Sequence, residues 1–466
     1  MTPQAPLDWL VTGTTLVTMD AQRRIVRDAY LAVRGDRIVA LGKCADLDPG
    51  VAAAARNKVD GRRFVVTPGF VNSHIHITGE PLTRGFVPDD IDFDDSIHNW
   101  QVPLYQAHTP DDERLSAQVA ALEMMRSGTT CFLEAGTIVD LDAVVDALRE
   151  TGIRGRVGRW TMDRAFDPAQ DQAALIDAAI RGLQDEVARY PADRGDLIAA
   201  WPLLLGHATN TDAVWLAAKE IADRSGTGVS AHMSPVAADA AWFIEHTGRR
   251  PMEHLDHLGV LGPNLALTHA VHVDAAEVEL LARSATNVTH CPTSALRGGY
   301  GVTQVGRFPE MARAGVNLAL GTDGNAGNSS DLMKAMYLVA GLFKDARRDP
   351  RQFPAHAALT MATLGGARTL QLGHEIGALE PGKKADFVLH DTDRPEWRPL
   401  SNVVNLLVWQ ADGRSVHSVW INGVRVVDDY RATLIDEDDL LARAQVAGEA
   451  IVARSGLPLR QPWPVV

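Results

Sequence analysis

Cysteine is scarce in this chain of 466 residues, occurring only as Cys44, Cys131 and Cys291. The three lie far apart and form no C-x-x-C pair, so the sequence lacks the cysteine framework of a small secreted domain. The first six residues also lack the basic and apolar regions of a signal peptide. We therefore expect a protein of a reducing compartment, the cytoplasm.

Basic charge and long apolar runs are limited as well. Lys and Arg number 45 against 59 Asp and Glu, which gives a formal net charge of −14. An acidic chain without a basic patch is not expected to take nucleic acid or an anionic membrane as its main partner. No apolar run approaches the roughly 18 residues that span a bilayer. A small-molecule substrate is the expected partner.

Several catalytic motifs are absent from the sequence. There is no G-x-S-x-G elbow, which argues against a serine hydrolase. There is no Walker A run and no G-x-G-x-x-G run, which argues against a P-loop NTPase and a dinucleotide enzyme. The H-x-E and P-C-x-x-C pair of cytidine-type zinc deaminases is also missing.

The middle of the chain, residues 66–384, alternates short β-type runs with amphipathic helical stretches. The eight runs are 65–71, 129–133, 155–160, 197–205, 228–231, 265–268, 287–289 and 317–320. Strands that alternate with helices predict an α/β fold built from parallel βαβ units, and eight is the number in a (β/α)₈ TIM barrel. The pattern alone leaves an open doubly wound sheet as the alternative.

Both ends of the chain are β-rich. Arg34-Gly35-Asp36 predicts a turn in the first part, and Asn422-Gly423 is a strong hairpin signal in the last part. We predict that the termini pair into one small β-sandwich domain. Residues 1–65 form its first part, and residues 385–466 form its second part and a C-terminal tail.

Histidine and aspartate recur where the predicted strands end. In extended backbone, residues two apart point to the same side, so the side chains of His74 and His76 can reach one ion. The other candidates at strand ends are His232, His269, His290 and Asp323. Barrel active sites lie at this end of the strands. His74, His76, His232 and Asp323 are therefore predicted to hold one divalent metal, with zinc expected and cobalt, manganese or iron also accepted by such ligands.

Four motifs resemble, in order, those of the metal-dependent amidohydrolase superfamily. They are residues 68–76 (PGFVNSHIH), 267–270 (LTHA), 290–294 (HCPTS) and 320–324 (LGTDG), and residues 377–386 resemble that superfamily's return into its terminal β domain. The resemblance covers nearly the whole chain. It is closest to the branch that holds cytosine and guanine deaminases and atrazine chlorohydrolase, and within it to molinate and phenylurea hydrolases.

The resemblance implies a role for each candidate residue. A bound divalent ion lowers the pKa of water toward about 7. Asp323 would take the proton of that water, and His269 would orient it or polarise a carbonyl oxygen. His207, His290 and Glu134 would contact the substrate. The fourth run lacks the lysine that bridges two metals in other members, so one ion is expected, and members of this branch commonly form homo-oligomers.

One position departs from the resemblance. Deaminases of this branch carry glutamate three residues after the histidine of the fifth strand, and here that position is Pro235. Proline cannot donate a proton, and a positioned acid contributes about 10²–10⁴-fold to such a reaction. The sequence therefore favours hydrolysis of a carbonyl C–N bond, in an amide, urea or (thio)carbamate of herbicide-like type, with release of an amine.

Two alternatives remain open at this stage. The first is an aminohydrolase or dechlorinase acting on a triazine, pyrimidine or purine, for which Glu134 is the candidate acid unless its carboxylate is only a structural hydrogen-bond partner. The second is a barrel retained as a binding protein, which usually loses metal ligands that are all present here. The acidic run 89–95 is assigned to the loop that covers the site.

Overall fold

The computed structural model describes residues 6–324 and 328–464. Residues 1–5 and 465–466, which belong to the predicted terminal domain, lie outside the described residues. The strands are β1 Trp9–Val17, β2 Ile25–Arg34, β3 Arg37–Lys43, β4 Asn57–Asp60, β5 Phe64–Pro68, β6 Phe70–Ile75, β7 Thr129–Glu134, β8 Arg154–Val157, β9 Ile198–Ala200, β10 Leu203–Gly206, β11 Val229–Met233, β12 Leu265–His269, β13 Asn287–His290, β14 Leu318–Leu320, β15 Phe387–Asp391, β16 Val416–Ile421, β17 Val424–Asp428 and β18 Arg431–Ala432.

The helices lie mainly between the strands of the middle region. They are α1 Pro49–Ala53, α2 Phe93–Asp95, α3 Val102–Gln106, α4 Pro110–Arg126, α5 Leu141–Thr151, α6 Gln172–Arg189, α7 Asp212–Ser225, α8 Ala237–Thr247, α9 Pro251–Leu258, α10 Ala275–Ser284, α11 Pro292–Arg297, α12 Val302–Val305, α13 Phe308–Ala314, α14 Leu332–Arg347, α15 Ala355–Thr360, α16 Gly366–Thr369, α17 Val403–Trp409 and α18 Glu437–Ser455. Among the described residues, no helix is both long enough and apolar enough to cross a membrane.

The two ends of the chain meet in one mixed sheet. Its strands follow the order β18-β17-β16-β15-β5-β1-β2-β3, and β4 pairs with β1. The predicted hairpin is confirmed, since Asn422 and Gly423 have φ of 54° and 78° between β16 and β17. The predicted sandwich of two packed sheets is not shown. The described strands form one sheet because β1, bulged near Gly13, pairs with β4 along its first half and with β5 along its second.

Parallel strands fill the middle of the chain. They form a four-stranded sheet in the order β6-β7-β8-β9 and a five-stranded sheet in the order β10-β11-β12-β13-β14. Most of their residues are buried on both faces, as in a parallel sheet covered by helices. The predicted α/β class and all eight strand positions are confirmed, although the first and fourth runs are each divided into two strands.

Glycine explains the division of the first run. Gly69 separates β5, which pairs with β15 of the terminal sheet, from β6, which pairs with β7. A Cβ atom at this position would lie 2.0 Å from Oγ1 of Thr130, so no larger residue fits. The chain therefore changes sheets at Gly69, immediately before the predicted metal ligands.

A covering segment lies over the carboxyl end of the parallel strands. It runs from Pro81 through a π-helical stretch, Ser96–Gln101, into α3. Its apolar side chains, including Leu82, Trp100 and Leu104, pack against Leu440 and Ile451 of α18. The C-terminal helix thus holds the covering segment in place.

A buried ion pair joins the terminal sheet to the parallel strands. Nη2 of Arg154, in β8, lies 3.0 Å from Oδ1 of Asp386, and the two side chains are 6% and 2% exposed. The backbone N–H of Asn422 donates to the same Oδ1 at 2.7 Å. The partners satisfy each other's charge in a place where neither can be solvated.

We expect Asp386→Ala to destabilise the protein by about 3–5 kcal/mol, because it leaves the Arg154 guanidinium buried without a counter-charge. Denaturant unfolding followed by circular dichroism measures the change. The control is Asp60→Asn, which breaks the exposed pair with Arg62 and should leave the transition midpoint unchanged. Equal midpoints for Asp386→Ala and wild type would contradict the role assigned to the pair.

Candidate metal centre and active site

The predicted metal ligands gather at the carboxyl ends of the parallel strands. His74 lies in β6 with His76 just beyond it, His232 lies in β11, His269 ends β12, and Asp323 follows β14. All five side chains are buried. One potential ligand atom from each of His74, His76, His232 and Asp323 lies within 4.8 Å of the others.

Asp323 is at the centre of this group. Its Oδ1 lies 3.2 Å from Nε2 of His74 and 3.1 Å from Nε2 of His76, and its Oδ2 lies 3.9 Å from Nε2 of His269. The ring of His232 stacks beside His76 at a centroid distance of 5.6 Å. Four imidazoles therefore surround one carboxylate.

Backbone conformation at these strand ends is unusual. His207, His269 and Asp323 have φ of 51°, 78° and 59°, in the left-handed region that side chains other than glycine rarely occupy. Each such residue costs on the order of 1–3 kcal/mol and is retained only when the surrounding structure fixes it, most often at functional sites. The strain turns these side chains toward a common point.

The charges of the group suit a divalent cation. Burial opposes ionisation of Asp323, but hydrogen bonds from His74 and His76 hold its pKa well below the ordinary value. Burial lowers the pKa of His232 well below its usual range and that of His269 to about 3. Ionised carboxylate and neutral imidazole are the forms that bind a metal.

His76 is the exception among these histidines. Burial alone would lower its pKa. The hydrogen bond to Asp323 and the charge of Glu80 outweigh burial and raise the pKa of His76 to about 9. The cluster of carboxylates thus attracts positive charge to this point. A metal ion would replace that proton on binding.

Outer hydrogen bonds fix the orientation of two imidazoles. Nδ1 of His74 lies 2.9 Å from Oγ1 of Thr268, and Nδ1 of His232 lies 3.0 Å from the carbonyl oxygen of Leu205. Since a carbonyl only accepts, His232 carries its proton on Nδ1 and offers the lone pair of Nε2. Such partners orient the histidines of metal sites. The residues present therefore fit one divalent ion bound by three histidines and an aspartate.

A cavity of about 620 Å³ opens onto this group. His76, His232, His269 and Asp323 line its inner end. Its walls are largely aromatic and apolar, and include Ile91, Phe93, Trp160, Met162, Phe166, Val236, Trp242 and Tyr300. Asp89, Asp92 and Asp94 also line the cavity, so the acidic run lies over the site as predicted. The volume and walls suit a small, flat, mainly apolar molecule.

His207, which the sequence predicts to contact the substrate, lines the cavity. Its Nδ1 lies 3.1 Å from Oδ2 of Asp239, and its ring stacks beside His232 at 5.7 Å. The same Oδ2 of Asp239 accepts the backbone N–H of Ser234 at 2.6 Å. Asp239 therefore ties the loop after β11 to His207 and fixes the ring that faces the cavity.

The sequence predicts that His290 and Glu134 contact the substrate. In the structure, neither residue lines the cavity. The His290 ring stacks on Phe308 at 3.9 Å in the core, and burial lowers its pKa to about 3. The Glu134 carboxylate accepts hydrogen bonds from the backbone N–H groups of Gly136 and Thr137 and from the Thr137 hydroxyl. Burial raises the pKa of Glu134 to about 7. Both are the last residues of their strands, but one side chain is bound by a backbone turn and the other packs in the core.

Glu80 and Tyr105 are among the site residues that the sequence analysis does not identify. Glu80 lines the cavity, and its Oε1 accepts a hydrogen bond from the hydroxyl of Tyr105 at 2.5 Å. Both lie in the connection after β6, where no periodic pattern guides an assignment. The available signal was the position of Glu80, four residues beyond His76 on the loop that must pass the metal ligands.

Comparison with known proteins identifies relatives along the whole chain. The sequence model of the amidohydrolase family matches residues 65–426. A 5-methylthioadenosine/S-adenosylhomocysteine deaminase of Syntrophobacter fumaroxidans is 31% identical over 447 residues, which are 95% of this chain and 98% of that relative. Two solved structures are similar in fold.

The first structure is an adenosine deaminase from Xanthomonas campestris with bound zinc. It has a TM-score of 0.85 and 29% identity, and the match covers 97% of this chain and 100% of that chain. The second is atrazine chlorohydrolase of Arthrobacter aurescens complexed with zinc, with a TM-score of 0.86, 23% identity and coverage of 94% and 100%. At that identity the second likeness shows the fold alone.

The comparisons confirm the superfamily that the motifs indicate, and atrazine chlorohydrolase is among the structural neighbours. They do not support the finer likeness to molinate and phenylurea hydrolases. The two relatives of about 30% identity reported above are a 5-methylthioadenosine/S-adenosylhomocysteine deaminase and an adenosine deaminase. General likeness around the shared motifs could not separate these groups, because the motifs carry the metal ligands and not the substrate contacts.

We expect Thr268→Val to weaken binding of Zn²⁺ about 10–100-fold, because His74 loses the partner of its Nδ1. Competition with a chelating dye measures the affinity directly. Thr289→Val is the matched control, since Thr289 is a buried threonine on the neighbouring strand β13 whose hydroxyl has no hydrogen-bond partner among the described residues. Equal affinities for the two variants would contradict the role of Thr268.

Proposed function

The chain belongs to the amidohydrolase family, and we propose that it is a metal-dependent aminohydrolase that replaces an amino group on an N-heterocycle by oxygen. The observation that carries the proposal is the position of His74, His76, His232 and Asp323, whose metal-binding geometry lies next to a cavity with aromatic walls. The deaminase relatives support the same reaction class. An amino-substituted purine, such as an adenosine derivative, is the first substrate to test.

The metal would be held by His74, His76, His232 and Asp323. When bound, a divalent ion lowers the pKa of water and so supplies a nucleophile near neutral pH. Zinc is proposed first, because nitrogen and oxygen ligands suit it and because the similar adenosine deaminase structure carries bound zinc. We propose a single ion, since no lysine lies between residues 197 and 206 to bridge a second.

The protein's own residues then move protons and hold the substrate. Asp323 is ionised and buried, so it accepts the proton of the attacking water and passes it to the departing amine. His269 is neutral, and its Nε2 lies 3.9 Å from Asp323, from where it orients the water. His207, fixed by Asp239, contacts the heterocycle at the side of the cavity.

Charge in the cavity limits the substrate. Carboxylates of Glu80, Asp89, Asp92 and Asp94 line it. Arg297 is the one arginine or lysine among the described lining residues, and its guanidinium already donates to the carbonyl oxygen of Val87 at 2.9 Å. An anionic substituent would find little to balance its charge. We therefore propose uncharged or cationic substrates, with a neutral adenosine derivative preferred over one that bears a free carboxylate.

The two parallel sheets are proposed to be halves of one (β/α)₈ barrel. The chain passes from β9 to β10 through two residues only, and Thr161, beyond β8, forms a parallel bridge with Leu204 of β10. At the other edge, Ile75 of β6 forms a parallel bridge with Asp323 beyond β14. The proposed domain limits at residues 65/66 and 384/385, a homo-oligomeric state and a cytoplasmic location stay predictions.

Hydrolysis of a carbonyl C–N bond is the second candidate function. The specific observation in its favour is that Pro235 lines the cavity together with Val236, where a deaminase of this branch would carry its acid. An amide, urea or carbamate carbon is already electrophilic and needs no ring protonation. The relatives do not support carbamate, urea or herbicide substrates, so this candidate ranks below deamination.

We expect the zinc-loaded protein to replace an amino group by oxygen on at least one member of a panel of uncharged aminopurines, aminopyrimidines and adenosine derivatives. Mass spectrometry of the products identifies the reaction. The panel also contains ureas, anilides and thiocarbamates. Release of an amine fragment from one of these, with no change in any amino-substituted ring, would support the second candidate and exclude the first.

We expect Asp323→Asn to lower kcat on the order of 10²–10⁴-fold, because the variant loses the group that accepts the proton of water. Its thermal unfolding midpoint and zinc content are measured in parallel, since Asp323 is also a proposed ligand. Near wild-type kcat in this variant would contradict the assignment of Asp323 as the base.

A further inference from the structure

Ring deamination requires a proton donor, and Pro235 and Val236 after His232 do not provide one. Attack of water at an amino-bearing ring carbon is slow unless a ring nitrogen receives a proton. Pro235 and Val236 line the cavity beside His232, and neither can supply one. If the proposed deamination takes place, the proton comes from elsewhere in the cavity.

Glu80 is the carboxylate best placed at the inner end of the cavity. It lines the cavity with His76, His269 and Asp323, and its side chain is buried, with an exposed fraction of 3%. Its Oε2 lies against Gly324, where a Cβ atom would stand only 2.2 Å away. The absence of a side chain at residue 324 therefore lets the carboxylate approach the backbone of the residue that follows Asp323.

Tyr105 holds the other oxygen of this carboxylate. Its hydroxyl lies 2.5 Å from Oε1 of Glu80 and 3.0 Å from Oε1 of Gln101. Burial and the neighbouring charge of Glu80 raise the pKa of Tyr105 well above its ordinary value, so the hydroxyl keeps its proton and donates. One oxygen of Glu80 is thus fixed, and Oε2 is oriented toward the residue next to Asp323.

The other buried carboxylates near the site are committed to backbone contacts. Glu134 accepts the N–H groups of Gly136 and Thr137 and does not line the cavity. Asp239 lines the cavity, but its Oδ2 accepts both the N–H of Ser234 and the Nδ1–H of His207. Glu80 is distinguished from Glu134 because it lines the cavity, and from Asp239 because its Oε2 lies against Gly324, next to Asp323.

We propose that Glu80 is the proton donor and acceptor for the heterocycle in this enzyme, in the role that Pro235 cannot fill. The inference rests on the proposed aminohydrolase function. The Glu80 carboxylate takes one proton of the attacking water and gives it to the ring nitrogen, while the water oxygen bonds to the amino-bearing carbon and Asp323 takes the other water proton. The C–N bond then breaks, and the amine leaves as ammonia with the proton from Asp323. The oxygen becomes C=O, the ring nitrogen keeps its hydrogen, and both carboxylates are restored.

The experiment compares Glu80→Gln with wild type on the substrate that the panel identifies. We expect kcat to fall on the order of 10²–10⁴-fold with KM near the wild-type value, because the amide keeps the shape of the side chain but cannot exchange a proton. Glu80→Asp, which keeps the acid but withdraws it by one methylene, should recover part of kcat. Tyr105→Phe should lower kcat less than Glu80→Gln.

Glu277→Gln is the matched control for removal of a buried carboxylate. Glu277 is fully buried, binds Nε of Arg250 at 2.7 Å and lies outside the cavity lining. This variant should keep the wild-type kcat even where its unfolding temperature falls. Zinc content and thermal unfolding are recorded for every variant, and these readouts do not depend on activity.

The outcomes separate the two proposals. Deamination by wild type with an unchanged kcat in Glu80→Gln would overturn the role of Glu80 and leave the proposed function intact. A lowered kcat that is matched by lost zinc or a lower unfolding temperature would make Glu80 a structural residue, which also overturns the inference. Absence of deamination by zinc-loaded wild type on the whole panel would refute the proposed function and this role with it.

Discussion

The buried carboxylate of Asp323 is the group on which the rest of the site depends. A single charge removed from water is costly unless opposite charge and hydrogen bonds surround it. Here His74 and His76 hydrogen-bond its Oδ1, and His269 faces its Oδ2. Burial lowers the pKa of most of the surrounding imidazoles and keeps them neutral, so they place little positive charge beside the carboxylate. A buried carboxylate among mainly neutral imidazoles favours a cation at this point.

Parallel strands bring such side chains together with few requirements on the sequence. Each ligand needs only to lie at or just after the carboxyl end of a strand, since these ends meet at one face of the fold. The positive φ of His269 and Asp323 and the change of sheet at Gly69 then set the final directions. The ion pair between Arg154 and Asp386 joins the terminal sheet to β8, and the backbone carbonyl of Asp386 accepts the N–H of Gly69 at 3.0 Å. The terminal sheet therefore contributes to the site indirectly, by fixing where β6 begins.

The sequence predicted the part of the site that follows a repeating rule. His74, His76, His232 and Asp323 lie at or just beyond the ends of strands whose period and turn residues are visible, so their grouping could be anticipated. His290 and Glu134 also end strands, yet their side chains contact the core and a backbone turn, and position along a strand cannot reveal the direction of a side chain. The single sheet of the termini also escaped prediction, because one bulged strand, β1, serves two neighbours. Glu80 and Tyr105 lie in an irregular connection whose course depends on tertiary packing.

A proton donor at Glu80 would change how the enzyme couples binding to chemistry. An acid on the His232 loop would be held by the strand scaffold alone. Glu80 is held instead by Tyr105 of α3, and α3 belongs to the covering segment that packs on Leu440 and Ile451 of α18. The same segment carries Ile91, Phe93 and Asp94 to the wall of the cavity. The wall that would contact the substrate and the residue that holds the proposed acid therefore belong to one segment, which the C-terminal helix supports.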